Sequence, residues 1–122
     1  MSCAASVAVM DTMGDLLPNA RTISARAFER FEKLKVEHPT IGDVRGLGLM
    51  IGVELVEDRE SREPDSAAFA FIQHYCLQRE LVVIECGPVG NIIRFIPPLI
   101  TTVDELDWAI DLIDEALTHY EA

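Results

Sequence analysis

Cationic residues are scarce in this 122-residue sequence, which has 10 Lys and Arg against 21 Asp and Glu and a net charge of −11. Such an excess of negative charge repels phosphate backbones and anionic lipid surfaces. Long apolar runs are also missing, since none approaches the roughly 20 residues that span a bilayer. We therefore expect neither a nucleic-acid partner nor a membrane segment.

Cysteine and histidine are rare as well. The three cysteines, Cys3, Cys76 and Cys86, are odd in number and include no CxxC pair, which argues against a disulfide framework and favours a reducing, cytoplasmic location. Cys76 falls on an apolar helical stripe and is expected in the core, whereas Cys86 next to a Gly-Pro turn could be either a pocket thiol or an inert one. The three histidines lack ligand spacing, so we expect no metal site.

Two familiar kinds of catalytic motif are missing. The only lysines, Lys33 and Lys35, stand in the charged stretch EKLKVE, and a catalytic lysine needs a desolvated pocket or an activating neighbour. They are interpreted as surface residues. The glycines Gly46, Gly48 and Gly52 match neither the dinucleotide fingerprint nor the Walker motif, so they are interpreted as positions where backbones bulge or approach closely.

The spacing of apolar residues predicts eight elements in the order helix, helix, strand, strand, helix, strand, strand, helix. The predicted ranges are 3–17, 20–38, two strands within 41–56, 64–79, 81–85, 91–96 and 102–120. Pro18 and Asn19 are taken to separate the first two helices. Thr102 and Glu105 have the spacing of a capping box at the start of the last helix. The pattern predicts an α+β fold with a small, mostly antiparallel sheet, one face of which is covered by the last two helices.

A single arginine interrupts the apolar strand in GNIIRFIPPL, residues 90–99. Because side chains alternate along a strand, Ile92, Arg94 and Ile96 should share one face of the sheet. A guanidinium among isoleucines stays charged and needs an anionic partner. That partner could be an internal carboxylate, or Arg94 could be an edge arginine whose head reaches water. Alternatively, the planar fork could bind the carboxylate of a ligand.

Three stretches taken together resemble the C-terminal part of the class-III aminotransferases, a pyridoxal-phosphate-dependent family that includes 4-aminobutyrate and ornithine aminotransferases. They are CAASVAVMD at the start, IGDVRGLGLMIGVELV in the middle, and CGPVGNIIRFIPPL followed by DELDWAIDLIDEAL at the end. The resemblance covers nearly the whole chain, and the CGPVGN turn is most similar to the 4-aminobutyrate type. It implies transfer of an amino group from an amine or amino acid to a 2-oxo acid.

The resemblance also implies a division of the chain. Residues 1–17 would be a remnant helix of a large cofactor domain that is missing here, so the start is expected to be truncated. Residues 18–122 would form the small domain, with 18–38 as its linking helix and 41–122 as its sheet and helices. Arg94 occupies the place of the arginine that binds the substrate carboxylate in the family, and the complete protein is expected to be a homodimer.

Two features set this chain apart from the family pattern. The Schiff-base lysine and the other pyridoxal-phosphate contacts would lie upstream, so we expect no catalytic or cofactor-binding residue in this chain, which would be inactive alone. Glu80 stands where the family usually has a glycine that ends a helix. Two alternatives stay open, namely a non-catalytic binding domain and a racemase built on the same scaffold.

Overall fold

The computed structural model describes residues 2–122, and within them three helices lie on one four-stranded sheet. The helices are α1 (Ser2–Glu37), α2 (Ser66–Leu77) and α3 (Val103–Glu121), and the strands are β1 (Ile41–Leu47), β2 (Met50–Leu55), β3 (Ile84–Cys86) and β4 (Ile92–Phe95). The strands are ordered β1-β2-β4-β3, and every neighbouring pair is antiparallel. This arrangement confirms the predicted α+β fold.

The first helix is longer than predicted. It continues through Pro18 to Glu37, so the predicted break at Pro18 and Asn19 is wrong. Proline removes one backbone donor from the helix, but the side chain of Asn19 ties this turn to the rest of the chain by donating to the carbonyls of Leu99 (2.8 Å) and Thr101 (3.1 Å). Met1, the first residue of the predicted 1–17 segment, lies outside the described residues.

The β1–β2 hairpin explains two of the glycines. A Cβ at Gly46 would lie 2.1 Å from the carbonyl oxygen of Met50, and Gly48 has a φ of +58° in the turn. Only glycine fits the first position and it is favoured at the second. The interpretation as a site of close backbone approach is confirmed at Gly46, whereas Gly48 has open space around it and serves the turn. The register shift lies elsewhere, between Ile41 and Asp43.

The other predicted boundaries need small corrections. Helix α2 begins at Ser66, because Asp65 caps it by accepting from the amide of Ala68 at 2.8 Å, and not at Pro64. Strand β3 begins only at Ile84, three residues later than predicted. The capping box of Thr102 and Glu105 at α3 is confirmed.

All three helices, and not only the last two, cover the same face of the sheet. The core joins α1 residues such as Phe31 to Ile51, Val53, Ile93 and Phe95 of the sheet and to α2 and α3 residues such as Ile72 and Ile113. Salt bridges link the exposed sides of α1 and α3, where Arg26 and Arg30 bind Asp107 and Arg30 also binds Asp111. The opposite face of the sheet has no helix on it among residues 2–122.

The end of α2 has a left-handed turn of the kind that favours glycine. Glu80 has a φ of +68°, its amide donates to the Leu77 carbonyl, and the amide of Leu81 donates to the Cys76 carbonyl. These two hydrogen bonds are those of a Schellman motif. Glutamate therefore occupies a backbone conformation that glycine adopts at lower cost.

We expect Glu80→Gly to stabilise the chain by about 1 kcal/mol, because it removes the steric cost of a Cβ in the left-handed region. Urea denaturation followed by circular dichroism measures this change. The matched control is Gln78→Gly, since Gln78 has a right-handed φ of −64° and glycine there should destabilise by up to about 1 kcal/mol. Equal effects of the two substitutions would contradict the prediction.

Candidate functional site

Arg94 lies on β4, on the face of the sheet that no described helix covers. Its neighbours along the chain, Ile93 and Phe95, are buried in the core, whereas Arg94 itself is exposed. Ile92 and Ile96 lie on the same side as Arg94, and Ile96 is 44% exposed. The predicted alternation along this strand is confirmed. We call this side of the sheet, made by the outward residues of the four strands, the open face.

The strand register sets the immediate neighbours of Arg94 on the open face. Gly52 of β2 lies opposite it on one side and Ile84 of β3 on the other. Directly opposite Cβ atoms in antiparallel strands are about 4.5–5.5 Å apart. A Cβ added at Gly52 would be 3.4 Å from Cγ2 of Ile92 and 3.8 Å from the Arg45 carbonyl oxygen, so the glycine keeps the surface low at this point. Arg94 thus stands between a bare stretch of backbone and an isoleucine.

The side chain of Arg94 makes no hydrogen bond or ion pair within the described residues. The internal ion pair that the sequence left open is therefore not formed among residues 2–122. The two carboxylates on the open face serve another arginine, since Arg45 binds Glu54 at 2.5 Å and Asp43 at 3.0 Å. The hydrogen bonds with Glu54 and then Asp43 raise the pKa of Arg45. Burial acts to raise the pKa of Asp43, but hydrogen bonds from Arg45 and Lys35 outweigh it, so that pKa is lowered.

A cleft of about 310 Å³ opens beside Arg94 at the β3 edge of the sheet. Its walls come from the segment before β3, from the end of β4 with the two prolines that follow, and from the first turns of α3. Arg94 and Glu105 are its only charged lining residues. The carboxylate of Glu105 is already bound to the amide and hydroxyl of Thr102 (2.8 and 2.9 Å). Of the two charged lining residues, Arg94 is therefore the one whose side chain has no partner among residues 2–122.

Both lysines of α1 form ion pairs, and Lys33 is exposed whereas Lys35 is half-buried. Lys33 is 3.8 Å from Glu37, and Lys35 is 3.3 Å from Asp43. Since Asp43 belongs to β1, Lys35 is at the sheet edge two strands away from Arg94. The sequence contains no other lysine. The interpretation of both residues as surface charges agrees with these contacts.

The cysteines are free thiols. Cys76 is fully buried in α2, and this burial raises its pKa to about 11, which confirms its expected place in the core. Cys86 is half-buried opposite Ile92. Among residues 2–122, no group of three His, Cys, Asp or Glu side chains is placed to hold a metal ion. Nor does this part of the chain contain a helix that is both long and apolar enough to cross a membrane.

Comparison with known proteins identifies the family. The family model for class-III aminotransferases matches residues 1–117. The chain belongs to the class-III aminotransferases. It is 40% identical over 120 residues to isoleucine 2-epimerase of Lentilactobacillus buchneri, and these cover 97% of the chain and 26% of that protein. It is also 36% identical over 123 residues to a probable 4-aminobutyrate aminotransferase of Bacillus subtilis, covering 96% and 27% of the two chains.

The solved structures agree. The PMP-bound form of an aminotransferase from Vibrio fluvialis superposes with a TM-score of 0.81 at 29% identity, over 96% of this chain and 26% of that one. This class-III chain therefore spans about a quarter of the length of the relatives it matches. The family uses pyridoxal phosphate. Because both lysines are tied to carboxylates away from Arg94, the described residues do not fit a site that binds this cofactor covalently.

Gly52 and Ile84 are the neighbours of Arg94 that sequence reasoning missed. Nothing in their local sequence distinguishes them, because they become neighbours of Arg94 only through the pairing of β2, β4 and β3. The glycine-rich hairpin is a signal that a close approach occurs, but it does not indicate which strand lies beside it.

Proposed function

We propose that the complete protein transfers an amino group from an amine or amino acid to a 2-oxo acid, and that Arg94 of this chain binds the substrate carboxylate. The observation that carries the proposal is that the Arg94 side chain is exposed and unpaired among the described residues. It is exposed on a well-packed sheet, beside an apolar cleft, and makes no ion pair within residues 2–122. A planar guanidinium held in this way suits bidentate recognition of a carboxylate.

We also propose roles for the two segments of this chain and for the other domain of the complete protein. Residues 1–17 would pack on the cofactor domain, since Val7 and Met10 of this stretch are 60% and 71% exposed and apolar surface of this kind tends to be covered. Residues 18–122 would be the small domain. The lysine that holds pyridoxal phosphate would lie in the other domain, so the 122 residues alone would be inactive. We further propose that the complete protein is a homodimer in the cytoplasm.

The amino donor has more than one candidate. The relative from Bacillus subtilis supports a 4-aminobutyrate-like donor. An ornithine-like donor, which the family resemblance also implies, is the other candidate.

A second candidate function is inversion at the α-carbon of an amino acid. It is favoured by the 40% identity to isoleucine 2-epimerase, which is higher than the 36% identity to the probable 4-aminobutyrate aminotransferase. A carboxylate-binding arginine serves either reaction, because both act on a substrate held by its carboxylate. The two differ in whether nitrogen leaves its original carbon skeleton.

The test is a label-transfer assay on the complete protein supplied with pyridoxal phosphate. A ¹⁵N-labelled L-amino acid is incubated with a 2-oxo acid, and products are analysed by chiral chromatography and mass spectrometry. We expect ¹⁵N in the amino acid formed from the 2-oxo acid. Accumulation of the D-enantiomer with the label still on its original skeleton would establish the second candidate. If neither occurs with α-amino, ω-amino or simple amine donors, both are wrong, and a non-catalytic binding domain is the remaining alternative.

A further inference from the structure

The open face is divided into a charged half and an apolar half. On the β1–β2 side lie Arg45, Asp43 and Glu54, which are bound to one another. On the β4–β3 side, Ile84 is 52% exposed and Ile96 is 44% exposed. Arg94 stands between the two halves, with Gly52 toward the charged side and Ile84 toward the apolar side. A carboxylate on Arg94 can therefore have its carbon chain beside aliphatic side chains.

The cleft beside Arg94 is mainly apolar, like the β4–β3 half of the open face. Most of its lining side chains are apolar, among them Leu81, Val82, Ile84, Ile96, Pro97 and Pro98. These side chains offer no hydrogen bond and no positive charge to a ligand. A second carboxylate placed there would lose its hydration without gaining a partner, which is unfavourable.

A second cation is also missing from the strands. Within the four strands, Arg45 and Arg94 are the only cationic residues. Arg45 lies two strands from Arg94, which is roughly 10 Å at the usual strand spacing, and its guanidinium is already bound to two carboxylates. The strands thus provide one free site for a carboxylate.

We infer that Ile84, together with Ile96, selects substrates of one chemical class, namely α-amino monocarboxylates with an aliphatic side chain. With the α-carboxylate on Arg94, the α-carbon is one bond away, so the side chain lies within reach of the neighbouring isoleucines. An acidic side chain would meet the same apolar surface. This inference rests on the proposed function of Arg94, and it applies equally to amino transfer and to epimerisation.

The experiment measures loss of the α-proton in D₂O by ¹H NMR, because this exchange reports on either reaction. The complete protein with pyridoxal phosphate is given leucine, isoleucine, alanine, aspartate or glutamate. We expect kcat/KM for leucine and isoleucine to exceed that for glutamate by at least about ten-fold, a ratio typical of one buried apolar group. A preference for aspartate or glutamate would overturn the inference.

Two variants test Ile84 directly. Ile84→Ala should lower kcat/KM for leucine by about ten-fold and change alanine less than about three-fold, because alanine has no long side chain to bury. Ile84→Arg should raise the glutamate-to-leucine ratio by at least about ten-fold by supplying a second cation. The control is Val36→Ala, an equally conservative loss at an α1 residue that is 83% exposed, and its profile should match the wild type.

The outcomes distinguish the proposed role of Arg94 from the inferred role of Ile84. If Arg94→Ala abolishes exchange of every carboxylate substrate but Ile84→Ala affects leucine and alanine equally, Ile84 has no role in specificity and only the inference is wrong. If Arg94→Ala leaves all five amino acids unchanged, the proposed function of Arg94 fails and the inference fails with it. Circular dichroism of each variant checks its folding, and the wild-type substrate profile tests the inference even if a variant is misfolded.

Discussion

Replacing Arg94 by alanine in the complete protein is expected to lower kcat/KM for carboxylate-bearing donors by about 30-fold to several-thousand-fold. Removing one partner of a buried, hydrogen-bonded charge pair costs roughly 2–5 kcal/mol, which corresponds to that range of rates. Steady-state kinetics with and without a carboxylate on the donor measure the effect. Arg94→Lys should restore only part of the activity, because an ammonium cannot reproduce the planar fork.

A simple amine without a carboxylate is the control for this prediction, and its turnover should change little. The stability of the variant is a second control. Because Arg94 is exposed and has no ion pair among residues 2–122, Arg94→Ala should change the free energy of unfolding by no more than about 0.5 kcal/mol. An unfolded variant, or equal slowing of both donor types, would mean that Arg94 has a structural role in the complete protein.

Replacing Phe31 by alanine should have the largest effect on stability. Phe31 is fully buried on α1, and its ring meets that of Phe95 edge-on, with centroids 5.1 Å apart and an interplanar angle of 75°. Loss of a buried phenylalanine side chain costs about 3–5 kcal/mol, through lost transfer free energy and the cavity that remains. This is a large part of the roughly 5–15 kcal/mol that stabilises a typical domain. Urea denaturation of the chain measures it.

The matched control on the same helix is Val36→Ala, since Val36 is on the solvent side and its loss should cost less than about 0.5 kcal/mol. Phe95 directly follows Arg94, so Phe31 supports the strand that presents the guanidinium. In the complete protein, we therefore expect Phe31→Ala to weaken binding of carboxylate donors as well. A cost below about 1 kcal/mol would contradict the packing of α1 on the sheet.

Several features of the fold could be predicted because they depend on a short stretch of sequence. The capping box at Thr102 and Glu105 needs only two residues three apart, and the alternation of Ile93, Arg94 and Phe95 needs only the geometry of one strand. The place of Glu80 at the end of α2 was likewise visible from the resemblance, and the structure shows the left-handed conformation there.

Other features depended on contacts between distant residues. Pro18 disfavours a helix locally, yet α1 continues because Asn19 binds carbonyls 80 and 82 residues away and the residues that follow are buried. Strand β3 is shorter than its apolar sequence suggests, since only Ile84–Cys86 pairs with β4. Local propensity predicts the ends of helices and strands poorly where tertiary packing contributes more free energy than the propensity does.

The sequence by itself determined the α+β class, the position of Arg94 on one face of its strand, and the family resemblance, because periodicity and motifs are local properties of the chain. Only the tertiary structure decided what surrounds Arg94. It showed that the open-face carboxylates are bound to Arg45, that Gly52 and Ile84 lie on either side, and that an apolar cleft opens beside the guanidinium. These facts follow from strand order and register, which arise from pairing residues far apart in the chain.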